Sequence, residues 1–329
     1  MPPENTDVEN DAADPFGLCG ETIQGKYRIN AVVGTGGFGV VYRGVHTGFG
    51  EPIAVKCLKL PSELDESERD ELLTRLQDEG RVLHRLSRLS SGIVQALDVG
   101  AVTTPKGQWV PYLVLEWLEG ETVAEHLRNR RDNDDPPYKL ERAVRLLEPA
   151  ARALAVAHRQ KVAHRDVKPE NLVLMRVSGE QTIKVLDFGI AKVLTQHSTF
   201  TAAPAATQKN PTAFTPGYGA PEQFNKKRGA TGPWTDVFAL GLILVEMVTG
   251  DRALVGDDAT QLYIAAADPA ARPTPRYHGV ELGDAVEEVL DRALAIEPSD
   301  RFQDAGVFWD ALRKAIGASI PPDLSLIHI

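Results

Sequence analysis

The sequence predicts an α+β chain in two parts, a strand-rich front and a helix-rich back. Three patterns carry this reading. Short β-branched runs alternate with glycine-rich turns up to about residue 118, one long amphipathic helix interrupts them over 65–89, and apolar residues recur at helical spacing over most of the chain beyond Gly120. At roughly 150 residues per domain, 329 residues with 43% hydrophobic content leave room for two compact units with a sizeable core. The 36 Lys and Arg against 46 Asp and Glu give a net charge of −10. Such a surface repels phosphate backbones and anionic lipid, which argues against nucleic-acid binding and membrane-surface binding as general functions.

Residues 1–21 (MPPENTDVENDAADPFGLCGE) are acidic and hold too little apolar surface to offset ordering entropy, so a disordered leader is expected. They lack the basic start and apolar run of a signal peptide. Cys19 and Cys57 make neither a disulfide framework nor a metal-binding spacing, and the chain reads as cytoplasmic. Runs at 31–33, 39–43 and 53–58 predict an antiparallel meander. In the helix over 65–89, Leu72, Leu76, Leu83 and Leu86 define the apolar stripe. Strands over 93–102 and 112–117 come next, and the junction between the parts falls at 118–120.

Beyond it the chain reads as mostly helical. Leu140, Ala143, Val144, Leu147, Ala150, Ala151, Leu154 and Ala157 draw one stripe, in which Pro149 costs about 3 kcal/mol and predicts a kink or a restart. The run over 237–245 is broken by Glu246 and too short to span a bilayer, so it predicts a buried helix and no membrane segment. Residues 284–318 again show helical periodicity. The final LSLIHI, after Pro321-Pro322, resembles a translated adapter more than native sequence. The expected organisation is a leader (1–21), a strand-rich domain (22–118), a helical domain (119–316) and a tail, partly non-native (317–329).

Chemistry gathers at four places. Gly34, Gly36 and Gly39 in GTGGFG let a backbone approach phosphate oxygens with its N–H groups, although three glycines so spaced arise by chance about 0.2 times per chain. A further strand comes after them, where a dinucleotide fingerprint would open a helix. Lys56, inside the apolar run IAVKCL, is costly to bury unless it meets an acid or a phosphate; the alternative is an edge lysine that snorkels. Glu79, in the stripe of the 65–89 helix, offers the acid. The strongest signal is HRDVKPEN at 164–171, whose five polar identities coincide by chance on the order of once in 10,000 chains. Asn171 and, 16 residues on, Asp187 in LDFG supply hard oxygen ligands of the kind Mg²⁺ prefers, and Asp166 is left to orient or deprotonate an attacking hydroxyl.

With these motifs the chain resembles the eukaryotic-like protein kinases over roughly residues 22–316, in the style of the bacterial serine/threonine (Hanks-type) branch. APE at 220–222, DVFALG at 236–241 and Arg301 in SDRF complete the series in order. The resemblance implies a bilobal fold: a small antiparallel N-lobe sheet with one main helix, a larger helical C-lobe, and ATP with Mg²⁺ (or Mn²⁺) between them. It implies transfer of the γ-phosphoryl group to protein Ser/Thr hydroxyls. The three glycines would cover the phosphates, and Lys56, held by Glu79, would contact the α and β groups. Val41, Ala54 and Val173 would enclose the adenine, Glu116 and Leu118 would present backbone groups to it, and Leu115 would stand as gatekeeper. Asn171 and Asp187 would hold the metal, Asp166 would orient the acceptor hydroxyl, and Lys168 would steady the transferring group. Leu83 would stack with His164 and Phe188, Glu222 would pair with Arg301, and Asp236 would brace the catalytic loop.

One segment departs from the family. Between DFG and APE the chain is long and rich in Ala, Thr and Pro, and Phe214 stands where the family usually has glycine before the threonine, here Thr215. Thr207 or Thr212 is expected to be autophosphorylated and to pair with Arg165. A pseudokinase scaffold would lack Lys56, Asp166 or Asp187. A small-molecule phosphotransferase would lack Lys168, the APE and the Glu222–Arg301 pair. Partners are therefore expected to be protein substrates, with a homodimer through the strand-rich lobe possible by analogy. His84 and His158 and the basic runs 128–131 and 226–228 read as packing or solvated residues, and Trp117, next to the hinge, as either lining the cleft mouth or packing.

Overall fold

The computed structural model describes residues 14–37, 39–60, 64–188 and 214–319. It divides into two compact units, one reaching to Arg81 and taking up Ala96–Trp117, the other taking Val82–Gln95 and everything from Leu118.

The first unit is a six-stranded antiparallel sheet in the order β1-β2-β3-β4-β6-β5, with β1 Thr22–Ile23, β2 Tyr27–Thr35, β3 Gly39–His46, β4 Pro52–Leu58, β5 Ala96–Thr103 and β6 Trp109–Glu116. Alternation sets its two faces. Val40 and Tyr42 of β3, Ile53, Val55 and Cys57 of β4, and Val110, Tyr112 and Val114 of β6 all point into one buried cluster. Lys56 pairs with Val41 on one side and Leu113 on the other, so it lies on a central strand and is half-buried; the edge-lysine reading fails.

The leader is also corrected. From Asp14 it is ordered, because Phe16 and Leu18 enter the same cluster, 3% and 1% exposed, a burial that their acidic surroundings in the sequence conceal. The Asp14 carboxylate fastens this strap, accepting from the Tyr42 hydroxyl at 2.7 Å and from the backbone N–H groups of Gly17 and Cys19 at 2.9 and 2.8 Å.

Helix α1 (Glu66–Leu89) buries Leu72, Leu76, Leu83 and Leu86 as the periodicity requires. Asp65 and Glu68 cap its start reciprocally, each side chain accepting the other's N–H at 2.9 Å. Residues 93–95 leave the predicted strand: Ile93 bridges to Val185, and Val94 donates to the Val185 carbonyl at 3.1 Å, so strand β5 starts only at Ala96.

The second unit is less purely helical than expected. A three-stranded sheet, β7 (Gly120–Thr122), β8 (Leu172–Val177) and β9 (Glu180–Val185), has the order β7-β8-β9. Its hairpin turns at Ser178 and Gly179, both with positive φ (52° and 88°), a turn that suits the right-handed strand twist. The helices are α2 (Val123–Asp132), α3 (Leu140–Arg159), α4 (Pro221–Phe224), α5 (Pro233–Thr249), α6 (Ala259–Ala267), α7 (Asp284–Ala293) and α8 (Ala305–Ser319). Helix α3 runs through Pro149 as one helix rather than restarting, and twelve of its side chains are buried, enough packing to outweigh one lost hydrogen bond. The 237–245 run lies within α5, where every residue from Thr235 to Val248 is buried.

The helical periodicity over 284–318 resolves into two helices, parted by a short 3₁₀ turn at Pro298–Asp300. Arg301 makes the break stable by donating to the free carbonyls of Ala295 and Ile296 at 2.7 and 2.8 Å. The expected tail is helical as far as Ser319. Among the described residues no helix is long and apolar enough to cross a membrane.

Candidate active site

The site in the second unit is built on the loop between α3 and β8. Arg165 holds a left-handed backbone at φ +67°, costly for a side chain of its size, and Asp187 another at +57°. Asp236, 1% exposed at the start of α5, compensates at the first: its carboxylate accepts the N–H groups of His164 and Arg165 at 2.7 and 2.6 Å. His158 is more than a packing residue. Its Nδ1 accepts the Ala305 N–H at 3.1 Å, so Nε2 carries the proton and donates to Asp236 at 2.9 Å. Gln223 Nε2 fixes the Arg165 carbonyl at 2.8 Å.

So braced, the loop presents Asp166 and Lys168, about four-fifths buried, with Nζ and Oδ2 3.0 Å apart. Thr215 closes the group: its N–H donates to Asp166 Oδ1 at 2.9 Å, and its Oγ1 accepts from Lys168 at 2.6 Å. Asn171 donates from Nδ2 to the Asp166 carbonyl at 2.8 Å and to Oδ2 at 3.3 Å, which turns its amide oxygen the opposite way. Its carbonyl accepts the Leu186 N–H at 2.8 Å, so the backbone leading into Asp187 runs beside Asn171. His164 Nε2 meets the Leu186 carbonyl at 2.6 Å and its ring lies 4.7 Å from that of Phe188. Leu83, His164 and Phe188 are all buried.

Glu222 and Arg301 form the expected ion pair, with both side chains fully buried, NH1 and NH2 on the two carboxylate oxygens at 2.8 and 2.9 Å. Thr235 adds a hydrogen bond to Glu222 at 2.8 Å, and the guanidinium lies 4.7 Å from the Phe238 ring.

Sequence reading missed Tyr218, Glu246 and Arg131. The Tyr218 hydroxyl donates to Glu246 Oε2 at 2.5 Å, and Arg131 donates to Oε1 at 3.1 Å. Glu246 was legible only as the acid that interrupts an apolar helix. A cavity of about 440 Å³ opens beside Thr215, with Glu170, Tyr218, Arg252, Leu254, Val255 and Asp257 in its wall.

In the first unit the three glycines are not equivalent. At Gly39 an added Cβ would collide with the Cys57 carbonyl, so the sheet itself demands glycine. At Gly34 and Gly36 nothing lies within 4 Å of such an atom and φ is ordinary, so the fold makes no such demand and the space stays open to a ligand. The turn is tied by the Gly36 N–H on the Gly39 carbonyl at 2.9 Å and by Lys59 on the Gly36 carbonyl at 3.1 Å. Val41, Ala54 and Lys56 are half-buried, as is Glu79 on α1, whereas Leu115 is buried beside half-buried Glu116, Trp117 and Leu118. Arg43 stacks 4.8 Å over Trp117. Val173 is buried on β8. Thr207 and Thr212 lie outside the described residues.

Fold and site together define a protein kinase catalytic domain. Comparison with known proteins agrees. A family model described as "Protein kinase domain" matches residues 27–308, and the chain belongs to that family, in its bacterial serine/threonine branch. It is 33% identical over 299 residues to serine/threonine-protein kinase Pkn1 of Myxococcus xanthus, covering 90% of this chain and 39% of that one. It is 31% identical over 300 residues to PknL of Mycobacterium tuberculosis, covering 91% of this chain and 67% of the relative. The chain thus spans about two fifths of the first relative and two thirds of the second. The PknI kinase domain of M. tuberculosis superposes with a TM-score of 0.59 at 26% identity, covering 90% of this chain and 98% of that one. Family membership implies the use of ATP and a divalent metal ion.

Proposed function

We propose that the chain is a serine/threonine protein kinase that transfers the γ-phosphoryl group of ATP to protein hydroxyls. The observation that carries it is the closed group of Asp166, Lys168, Thr215 and Asn171, which offers one carboxylate to an incoming hydroxyl and one ammonium to the charge that builds on the transferring group. Asp166 Oδ1 is oriented by the Thr215 N–H and Oδ2 by Lys168, so the carboxylate aligns the acceptor hydroxyl and takes its proton as the bond to phosphorus forms. Lys168 stabilises the equatorial oxygens.

Asn171 and Asp187 fit a hard divalent cation, Mg²⁺ or Mn²⁺: an amide oxygen turned away from Asp166 and a carboxylate carried on the adjoining backbone. When bound, the metal neutralises phosphate charge and holds the phosphates in register. In the first unit, Gly34 and Gly36 leave room for the phosphates to come close to the backbone, Gly39 shapes the turn, and Lys56, paired with Glu79, binds the α and β groups. Val41, Ala54 and Val173 are the apolar residues assigned to the adenine, and the backbone groups of Glu116 and Leu118 those assigned to its edge. The cavity beside Thr215 receives the protein chain next to the acceptor. Autophosphorylation at Thr207 or Thr212 belongs to the same proposal.

The test is incubation with γ-labelled ATP and Mg²⁺, and then mapping of the phosphorylated residues. Wild type should label Ser/Thr, Asp166→Asn should lose about 10²–10⁴ in rate, and Lys56→Met should fall similarly. Equal labelling in all three proteins would overturn the assignment.

A further inference from the structure

We propose that Phe214 is a positioning residue of this site, an aromatic staple that fixes the peptide plane through which Thr215 meets Asp166. The inference deepens the kinase reading above and rests on it. The N–H that donates to Asp166 Oδ1 at 2.9 Å belongs to the peptide joining residues 214 and 215, so whatever holds Phe214 sets the direction of that bond. The ring of Phe214 stands edge-on to Phe224, centroids 4.9 Å apart at 82°.

It also reaches across the turn to Gly219. A Cβ there would lie 2.5 Å from the Phe214 ring and 2.7 Å from that of Phe224, so glycine at 219 is what admits the ring. Residues 214 and 219 thereby close the turn on itself. The slot has a firm back. Phe224 packs on Tyr263 at 5.6 Å, and the Tyr263 hydroxyl accepts from Arg228 at 3.1 Å and Asn225 at 3.3 Å. Arg228 is in turn held by Glu297 at 2.7 Å.

The two ends of the turn are therefore secured differently, Tyr218 by its hydroxyl on buried Glu246 and Phe214 by ring packing. A glycine at 214 would give that peptide the greatest backbone freedom of any residue. In this chain the phenylalanine removes that freedom at the position next to Thr215, whose amide and hydroxyl orient Asp166 and Lys168. Loss of the staple should lower kcat, because the misaligned groups act on the acceptor hydroxyl and on the charge of the transferring phosphoryl group, and not on nucleotide binding.

The test uses the full chain with Phe214→Ala, Phe214→Tyr and Gly219→Ala, a fixed Ser-containing peptide and saturating ATP. Phe214→Ala should lose about tenfold in kcat with the KM for ATP nearly unchanged, and Phe214→Tyr, which keeps the ring, should stay near wild type. Gly219→Ala, which evicts the ring without touching Phe214, should reproduce the loss and serves if Phe214→Ala fails to fold. In protein labelled with ¹⁵N-threonine, the Thr215 amide resonance should move upfield in both alanine variants. A folded Phe214→Ala protein with wild-type kcat and an unmoved Thr215 amide would overturn the staple. If wild type transfers no phosphate, the kinase reading fails, whereas the amide shift still decides whether the ring holds the turn.

Discussion

The two units bury polar groups in opposite ways. Beneath the six-stranded sheet tyrosines carry buried hydroxyls: Tyr42 donates to Asp14 and Tyr27 to Asp98, each at 2.7 Å, with the carboxylates at the margin of the cluster. The second unit instead encloses charge outright, in Glu222 with Arg301, Glu246 with Arg131 and Tyr218, and Asp236 with His158. The reason lies in what each must hold. A sheet satisfies its own backbone through the ladder, so apolar contact and a few hydroxyls suffice. The catalytic loop and the 214–219 turn have no ladder, and a strained position such as Arg165 is held by a charged side chain, Asp236, that grips its backbone from a fixed point.

The comparison breaks most visibly at the buried pair. Arg301→Ala leaves the Glu222 carboxylate without its cation and the carbonyls of Ala295 and Ile296 without a donor, and should cost about 3–5 kcal/mol in urea unfolding. Glu222→Gln keeps the shape and the Thr235 contact and should cost less. If Arg301→Ala unfolded at the wild-type urea midpoint, enclosed charge would not be what holds the second unit.

A smaller effect is expected where the strap meets the sheet. Burial pushes the Asp14 carboxyl up, but the Cys19 and Gly17 N–H groups and the Tyr42 hydroxyl outweigh it and hold the group below its ordinary value of 3.8. A carboxyl that is more acidic in the folded state contributes stability above its unfolded value, lost as pH falls from there through the folded value. Tyr42→Phe should cost about 1.5–3 kcal/mol at neutral pH, the range for a hydrogen bond to a charged group. Asp14→Asn should flatten the acid limb of the stability profile. An unchanged limb below pH 4 would show that the strap is held by Phe16 and Leu18 alone.

Legibility in the sequence divides along the same line. The meander, the stripe of α1 and the loop 164–171 were readable because periodicity and a dense motif are local properties of the sequence. The strap was not, since two apolar residues among acids look like a disordered leader until a tyrosine 28 positions on supplies the partner. Strands β7 to β9 were hidden because short apolar runs fit a buried helix as well as a strand. The roles of His158 and Glu246 were not legible, because their partners sit 78 residues away at Asp236 and 115 residues away at Arg131, separations that no spacing rule reaches.

The smallest effect separates the units at alkaline pH. Cys57 lies on the buried face of β4, and burial, with the Asp14 charge working in the same direction, pushes its thiol up to about 12. A group that holds its proton more tightly in the folded state contributes stability in full below its unfolded value, here 9.0, and loses it as pH climbs toward the folded one, by at most ~1.4 kcal/mol per pH unit. Between pH 9 and 10 this loss falls on the sheet, where neutral groups are buried. Cys57→Ala should therefore reduce the fall in urea stability between pH 8 and 10, whereas Glu222→Gln should lower both values alike. Iodoacetamide at pH 8 should modify exposed Cys19 in the folded protein and reach Cys57 only after unfolding. Rapid labelling of both thiols in the native state would show that the sheet's buried face is open to solvent, and the contrast between the units would fail at its neutral side.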